Sequence, residues 1–269
     1  MTRTLAHADE RSAATGVFEW LDRLNYRFFY DLPGGARLAR PRQVINLHKL
    51  SVGPLVLALM FSTGNFSLAA WTYLVLHGLY GVMWVLKDVY FGDAAWTRPC
   101  SITSAVAGFG FLALYYVAPL VLLTPLGDIL PGRIAPPGQL SPGLAALAVG
   151  CFILGAFFHF VSDCHKHFVL KHQRVLITDG LFALSRNPNY FGEVLIYASF
   201  NLVAQHWAAW VVCSIFWLQI FLPNMLRKDR SMSRYLEHAE WVRRTPMLVP
   251  SPFVLLRALG RSLGRGTPG

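Results

Sequence analysis

The sequence contains few charged residues. Lys, Arg, Asp and Glu together make up 14% of its 269 residues, whereas hydrophobic residues make up 54%. Roughly a quarter of the residues are charged in ordinary soluble domains, so the composition excludes that class. Several apolar runs reach roughly 18 residues, the length that a helix needs to cross a hydrocarbon core. Because lipid cannot satisfy backbone polar groups, we predict an all-α, polytopic membrane helical bundle.

Cysteine is also scarce, and the four residues lie in or beside apolar segments without paired spacing: Cys100, Cys151, Cys164 and Cys213. No disulfide framework is therefore predicted. A cluster of Cys164 with three histidines (His165, His167 and His172) could suggest a metal. Its spacing matches no familiar zinc pattern, so we predict no metal site.

Acidic residues are fewer than basic ones, which gives a formal net charge of +10 at pH 7. About six crossings are predicted, with the bounds 50–68, 69–86, 101–125, 143–162, 189–204 and 207–224. With a cytoplasmic N-terminus, they place 23 of the 24 Lys and Arg residues on the cytoplasmic side and Arg133 outside. We therefore predict two cytoplasmic termini, with membrane lipid rather than nucleic acid facing the basic loops. As a separate expectation, the membrane is a bacterial inner membrane.

The chain is predicted to divide into three segments. Residues 1–49 form a cytosolic and interfacial segment, 50–250 a membrane bundle that carries the candidate catalytic residues, and 251–269 a basic tail. Within the first segment, residues 17–30 place Phe18, Leu21, Leu24 and Phe28 near one helical face. That pattern is typical of a helix that lies in the membrane interface.

Polar residues follow one face of the predicted crossing 189–204. Asn189, Glu193, Tyr197 and Asn201 recur at every fourth position, after a helix start at Asn187-Pro188. An ionisable residue inside a crossing is costly and indicates function, although a hydrogen bond between helices is the structural alternative.

Two further crossings carry polar stripes. One comprises Tyr73, His77, Tyr80, Trp84 and Lys87, and an aromatic packing face is its structural alternative. The other comprises His159, Ser162, Asp163 and Lys166, followed by Arg174. After the last crossing, the hydroxyl residues Ser231 and Tyr235 are interleaved with the arginines Arg227, Arg230 and Arg234. Arginine forks suit phosphate oxygens, so a phosphate-bearing cofactor could bind where these stripes reach the cytoplasmic surface.

The stretches "GLFALSRNPNYFGEVLIY" and "RKDRSMSRYLEHAEWVRRTPMLVP" resemble the C-terminal region of the membrane steroid 5-alpha-reductase family and its bacterial relatives. The resemblance implies that NADPH is bound by Asn189, Tyr190, Glu193, Ser162 and Asp163, and by Arg227, Arg230, Arg234 and Tyr235. We also predict that the basic residues Lys166 and Arg174 bind the cofactor, because they lie in and just after the polar stripe that contains Asp163. His77 and Tyr80 match the family's proton-donating neighbourhood, so we predict that Tyr80 is the catalytic donor, with His77 beside it.

The resemblance implies an NADPH-dependent reductase of a C=C bond in a lipophilic, steroid-like or isoprenoid enone. The family's Gln-Glu pair is missing, however, because the comparable stretch reads "VINLHKLSV", with Asn46, His48 and Lys49. The residues that would bind the cofactor therefore match the family better than the residues that would bind the substrate. The alternative is an S-adenosylmethionine-dependent lipid or isoprenylcysteine carboxyl methyltransferase, since that superfamily shares Arg186, Pro188, Tyr190 and Gly192.

Overall fold

A computed structural model describes residues 2–136 and 138–251 of the chain, together with positions 254, 256 and 260. Of residues 2–15, 94 and 95 it describes the backbone alone. The described residues form helices joined by turns and loops, without a strand, which confirms the predicted all-α class. The predicted basic tail 251–269 lies almost wholly outside the described residues.

The α-helices of the described chain are α1 (Thr2–Tyr30), α2 (Pro41–Thr63), α3 (Leu68–Phe91), α4 (Ile102–Leu112), α5 (Val117–Leu123), α6 (Leu126–Ile129), α7 (Pro142–His172), α8 (Pro188–Ala204), α9 (Trp207–Phe216), α10 (Leu222–Met232) and α11 (His238–Arg244). Short 3₁₀ turns occupy Ala94–Thr97, Ala113–Tyr116 and Gly180–Ala183, and a π turn occupies Trp217–Phe221. The 3₁₀ turn between α4 and α5 precedes Pro119, whose ring excludes a regular bond to the carbonyl four residues earlier.

Five helical stretches are long and apolar enough to cross a membrane: Pro41–Thr63, Leu68–Phe91, Ile102–Leu123, Pro142–His172 and Trp207–Met232. The remaining predicted crossing, 189–204, forms α8, whose 17 residues make it shorter than these five. A multi-helix membrane protein is thus confirmed. At about 17–25 residues for a crossing, α8 is at the lower limit, so its crossing stays a prediction.

The first crossing begins nine residues before its predicted start at 50. Pro41 fills the first helical position, and the Gln43 side chain accepts a hydrogen bond from the Arg40 backbone N–H at 2.9 Å. The charged residue Arg42 is held by the Asp88 carboxylate on α3, with 2.8 Å between the nitrogen and oxygen atoms. Arg42 and Lys49, which the sequence assigned to the cytosolic segment 1–49, are therefore part of the helix.

The faces of α3 are the reverse of those in a soluble protein. Tyr73, His77 and Tyr80 are buried, whereas the aliphatic residues of the opposite face are exposed: Val75, Leu79, Val82, Leu86 and Val89. Exposed aliphatic side chains suit a lipid environment, and the buried polar stripe is the face that the sequence predicted.

The chain folds as two compact units. The first unit comprises Met1–Gly150 and Tyr197–Arg227, and the second comprises Cys151–Ile196 and Lys228–Gly269. Each contains a close helix crossing at glycine. In the first unit, a Cβ atom on Gly81 would lie 2.2 Å from the Lys49 carbonyl oxygen. In the second unit, a Cβ atom on Gly192 would lie 2.4 Å from the His159 backbone nitrogen. Glycine therefore brings α2 against α3, and α7 against α8.

Candidate functional site

In the first unit, a buried lysine lies among aromatic rings. Lys49 is 3% exposed, and its Nζ atom donates a hydrogen bond to the Tyr197 hydroxyl at 2.5 Å. The same Nζ atom lies 4.3 Å from the ring centroid of Tyr80 and 4.7 Å from that of Trp84. A cation over aromatic faces is attracted by their quadrupoles, so the rings compensate part of the lysine's lost hydration. We call Lys49, Tyr80, Trp84 and Tyr197 the lysine box.

Of the predicted catalytic pair, Tyr80 belongs to this box and His77 lies beside it. His77 Nδ1 and the Tyr73 hydroxyl form a hydrogen bond of 2.9 Å, and the His77 ring stacks on Phe200 with 4.0 Å between centroids. The Tyr197 ring stands edge-on to His77 and to Tyr80, with centroid separations of 6.3 and 5.9 Å. The polar stripe of α3 and Tyr197 of the α8 stripe thus meet in one cluster.

A small cavity adjoins Tyr197, and its walls include Tyr73, His77, Tyr115 and Asn201. Its volume of about 10 Å³ is the room that about one water molecule needs. Pockets for ligands measure roughly 300–1,000 Å³. In this structure the cavity beside Tyr197 is therefore smaller than a ligand pocket.

In the second unit, charged side chains gather where α7 and α10 end and α8 begins. Arg186 forms an ion pair with Asp229, and these side chains are 11% and 21% exposed. The Lys228 ammonium interacts electrostatically with Arg186, Asp229, Asp163 and Lys166. We call these five residues the charged cluster. Its three cations outnumber its two carboxylates, so the cluster can attract an anion.

The loop before α8 is held by the segment that follows α11. The Ser185 hydroxyl donates to the Leu248 carbonyl at 2.7 Å, and the Arg186 backbone N–H donates to the Pro246 carbonyl at 2.9 Å. The Asn187 side-chain amide donates to the Met247 carbonyl at 2.9 Å. These contacts join the two stretches that carry the family resemblance and fix the backbone that presents Arg186.

Trp241 holds the other end of the same loop. Its indole N–H donates to the Phe182 carbonyl at 3.0 Å, and its side chain is buried. Trp241→Phe leaves that carbonyl without its donor, which we expect to cost about 1–3 kcal/mol of stability. Thermal unfolding in detergent measures the loss, with Trp20→Phe, at an exposed position, as the control. Equal melting temperatures for Trp241→Phe and the parent would contradict this role.

Two buried acceptors lie near the start of α8. The Oδ1 atoms of Asn187 and Asn189 have no hydrogen-bond partner among the described residues, and neither has the Arg186 Nε atom. Buried polar atoms are nearly always paired in native proteins. The described site therefore offers two acceptors and one guanidinium donor to a bound molecule.

The predicted cofactor residues fall into several places. Asp163 and Lys166 belong to the charged cluster. The buried Ser162 hydroxyl donates to the His159 carbonyl, three residues earlier in its own helix, at 3.1 Å. Tyr190 and Glu193 are half-buried on α8. The roles of these residues toward a cofactor stay predictions.

The remaining predicted arginines lie at the surface. Arg227 belongs to the first unit, where it donates to the Asp22 carboxylate at 2.9 Å. Arg234 donates to Ser231 and lies 4.9 Å from the Tyr235 ring centroid, in an exposed cluster of the second unit. Arg174 and Arg230 are exposed. The charged cluster thus contains none of these four arginines.

The sequence did not select Lys49 and Tyr197 of the lysine box as site residues, and it did not select Arg186, Lys228 and Asp229 of the charged cluster. Arg186 was visible as a motif residue and Tyr197 as part of the α8 stripe. Lys49 was visible in the stretch "VINLHKLSV", where the family's Gln-Glu pair is missing. Among the described residues, no three His, Cys, Asp or Glu side chains converge as metal ligands.

A family model described as "Protein of unknown function (DUF1295)" matches residues 93–244, which is more than half of the chain. An uncharacterised protein of Schizosaccharomyces pombe is 27% identical over 111 residues, which cover 39% of this chain and 39% of that relative. The chain therefore matches less than half of the relative's length. All five residues of the charged cluster lie within the family match.

Proposed function

The chain belongs to the DUF1295 family of unknown function, and we propose, from its residues and their resemblance to the steroid 5-alpha-reductase family, that it is a membrane reductase. The cofactor would be NADPH, and the substrate a lipophilic enone whose C=C bond is reduced. The charged cluster of the second unit carries the proposal.

The charged cluster supports a phosphate-bearing cofactor. Arg186, Lys166 and Lys228 supply guanidinium and ammonium donors, and charge-assisted bonds to phosphate are among the stronger hydrogen bonds in proteins. Asp163 is suited to accept from a ribose hydroxyl. S-adenosylmethionine has no phosphate groups, so an excess of cations favours the dinucleotide over that alternative.

The two unpaired acceptors near the start of α8 suit the amide and amino groups of NADPH. The amide and amino groups of NADPH carry N–H donors, and the buried Oδ1 atoms of Asn187 and Asn189 could accept hydrogen bonds from them. When bound, NADPH supplies a hydride to the β-carbon of the enone, and with one proton the product is the saturated ketone. The chain's own residues would bind and orient the dinucleotide through this acceptor pair and the charged cluster.

The lysine box and its surroundings support a substrate oxygen in the first unit. Tyr80 and His77 are buried, and Tyr80 would donate a hydrogen bond to the carbonyl oxygen as negative charge develops there. Donors fixed in a dry site stabilise such charge more than water does, because they need no reorientation. The exposed aliphatic faces of the helices suit contact with lipid, from which a lipophilic substrate would come.

The resemblance of the second unit's two motifs to the steroid 5-alpha-reductase family supports the same reaction class. Under this proposal both termini are cytoplasmic, so that the charged cluster meets soluble NADPH and the membrane helices meet the lipid-soluble substrate. The positive-inside distribution of Lys and Arg supports that orientation.

The proposal is tested by following NADPH oxidation at a panel of lipophilic enones with the protein in mild detergent. We expect enone-dependent oxidation and, by mass spectrometry, a product heavier by two hydrogen atoms. A parallel arm supplies S-adenosylmethionine and prenyl-cysteine. Methyl transfer without NADPH oxidation would replace the reductase by the methyltransferase, and inactivity in both arms would reject both enzymes.

Two substitutions separate the cofactor from the substrate. Glu193→Gln is expected to weaken NADPH binding about tenfold, the size of one lost charge-assisted hydrogen bond. Tyr80→Phe is expected to lower turnover about 100-fold and to leave NADPH binding unchanged, since removal of one oxyanion donor costs roughly 10²–10³ in rate. Titration calorimetry and steady-state kinetics measure the two effects. Parent-like behaviour of both variants would refute these assignments.

A further inference from the structure

The lysine box contains a contact that neither the motifs nor the polar stripes explain. A buried ammonium is costly, and it needs partners that compensate for its lost hydration. One partner of Lys49 is a phenol, the Tyr197 hydroxyl, at 2.5 Å. The family resemblance leads us to expect a carboxylate in this stretch of the chain. The chain instead has a lysine, whose ammonium group contacts a tyrosine hydroxyl.

The geometry gives Tyr197 a defined role. Its oxygen accepts from the Lys49 ammonium, and a hydroxyl that accepts from a cation becomes a stronger donor because its O–H bond is polarised. The Tyr197 ring stacks on Tyr115, with 4.2 Å between centroids, and the residue is 2% exposed. The hydroxyl is thus held in one place by packing.

The position of Lys49 is fixed as firmly. The Gly81 backbone of α3 approaches the Lys49 carbonyl so closely that a Cβ atom would lie 2.2 Å from it. The rings of Tyr80 and Trp84 lie 4.3 and 4.7 Å from the Nζ atom. Backbone and side chain are therefore both constrained, as a preorganised electrostatic site requires.

We propose that Lys49 and Tyr197 form a donor pair for the carbonyl oxygen of the substrate, with Tyr197 as a catalytic residue and Lys49 as its positioning residue. This inference rests on the proposed reductase function. NADPH would supply the hydride to the β-carbon and become NADP⁺, while the electrons of the C=C bond would move to the carbonyl oxygen. The Tyr197 hydroxyl donates to that enolate oxygen beside Tyr80, and the α-carbon then takes a proton from solvent.

A cationic pair selects its ligand. It favours an oxygen that is, or becomes, negatively charged, and it repels cationic lipids. The substrate class is therefore an α,β-unsaturated ketone, aldehyde or acid. A C=C bond without a conjugated carbonyl would leave the donors unpaired, which is the kind of mismatch that sites reject most strongly.

The test uses the infrared C=O band of a ¹³C-carbonyl-labelled cyclic enone bound to the full protein in detergent without NADPH. We expect a shift to lower frequency in the parent, a smaller shift in Lys49→Met and the smallest in Tyr197→Phe. Lys171→Met is the matched control, because Lys171 is exposed in the last turn of α7 and has no contact with the lysine box. Its band should equal that of the parent.

Kinetics complete the test. With NADPH present, Tyr197→Phe should lower kcat about 100-fold and Lys49→Met about tenfold, with little change in the KM for NADPH. If Lys49→Met does not fold, Tyr197→Phe, which loses a single oxygen atom, carries the test. A shifted C=O band without NADPH oxidation would reject the proposed reductase and support the donor pair. Equal bands and rates in the parent and both variants, or no bound enone, would overturn the donor pair.

Discussion

Replacing Arg186 with Gln is expected to weaken NADPH binding by about 10- to 100-fold, the range of one or two charge-assisted hydrogen bonds. The guanidinium is 11% exposed and its Nε atom has no partner among the described residues. It is therefore the member of the charged cluster that is best prepared for a phosphate. Titration calorimetry with NADPH measures the loss.

The same change is also expected to destabilise the protein, because Asp229 keeps its charge after its partner is gone. Breaking a buried pair costs about 3–5 kcal/mol, and nearby Lys228 should reduce this to about 2–3 kcal/mol. The double variant Arg186→Gln/Asp229→Asn removes both charges. It should regain most of the stability and none of the NADPH affinity.

That difference distinguishes a binding role from a structural one. If the double variant regains both stability and NADPH affinity, Arg186 serves the fold alone. Arg243→Gln is the matched control, since Arg243 pairs with Glu240 on the surface, where both side chains are largely exposed. A change within about 0.5 kcal/mol is expected there.

Gly192→Ala is expected to cost about 3 kcal/mol or more, or to prevent folding. The added Cβ atom would lie 2.4 Å from the His159 backbone nitrogen and 2.5 Å from the Gly155 carbonyl oxygen. Both are backbone atoms, so α7 and α8 must separate, which exceeds the usual 1–3 kcal/mol or so of an overpacked side chain. The motif glycine is thus explained by helix packing.

Gly150→Ala provides the control on α7. A Cβ atom there meets nothing within 4 Å, so the substitution should gain up to about 1 kcal/mol in helix propensity. Thermal unfolding of both variants in the same detergent measures the contrast. Similar melting temperatures for Gly192→Ala and Gly150→Ala would contradict the close crossing.

Composition and periodicity predicted most of the fold. Apolar runs located all five membrane-length helices, because lipid demands a continuous stretch of such residues. The burial of Tyr73, His77 and Tyr80 followed from their helical spacing. The start of α2 was missed, because hydropathy treats Arg42 and Lys49 as loop residues, although Asp88 and Tyr197 accommodate them inside the protein.

The sites were less predictable than the helices. Lys49 and Tyr197 are 148 positions apart, and Arg186 and Asp229 are 43 apart. Periodicity places residues on a face of one helix but does not say which other helix lies against that face. The stripes indicated the candidate faces, and only the packing showed which side chains meet. Arg227, which looked equivalent to Arg230, instead pairs with Asp22 of α1.

Equilibrium binding of NADPH and S-adenosylmethionine to the purified protein in mild detergent tests the central claim most directly. The charged cluster predicts saturable NADPH binding that weakens in Arg186→Gln and is unchanged in Arg243→Gln, with no S-adenosylmethionine binding. Binding of S-adenosylmethionine alone, or of neither cofactor, would contradict it.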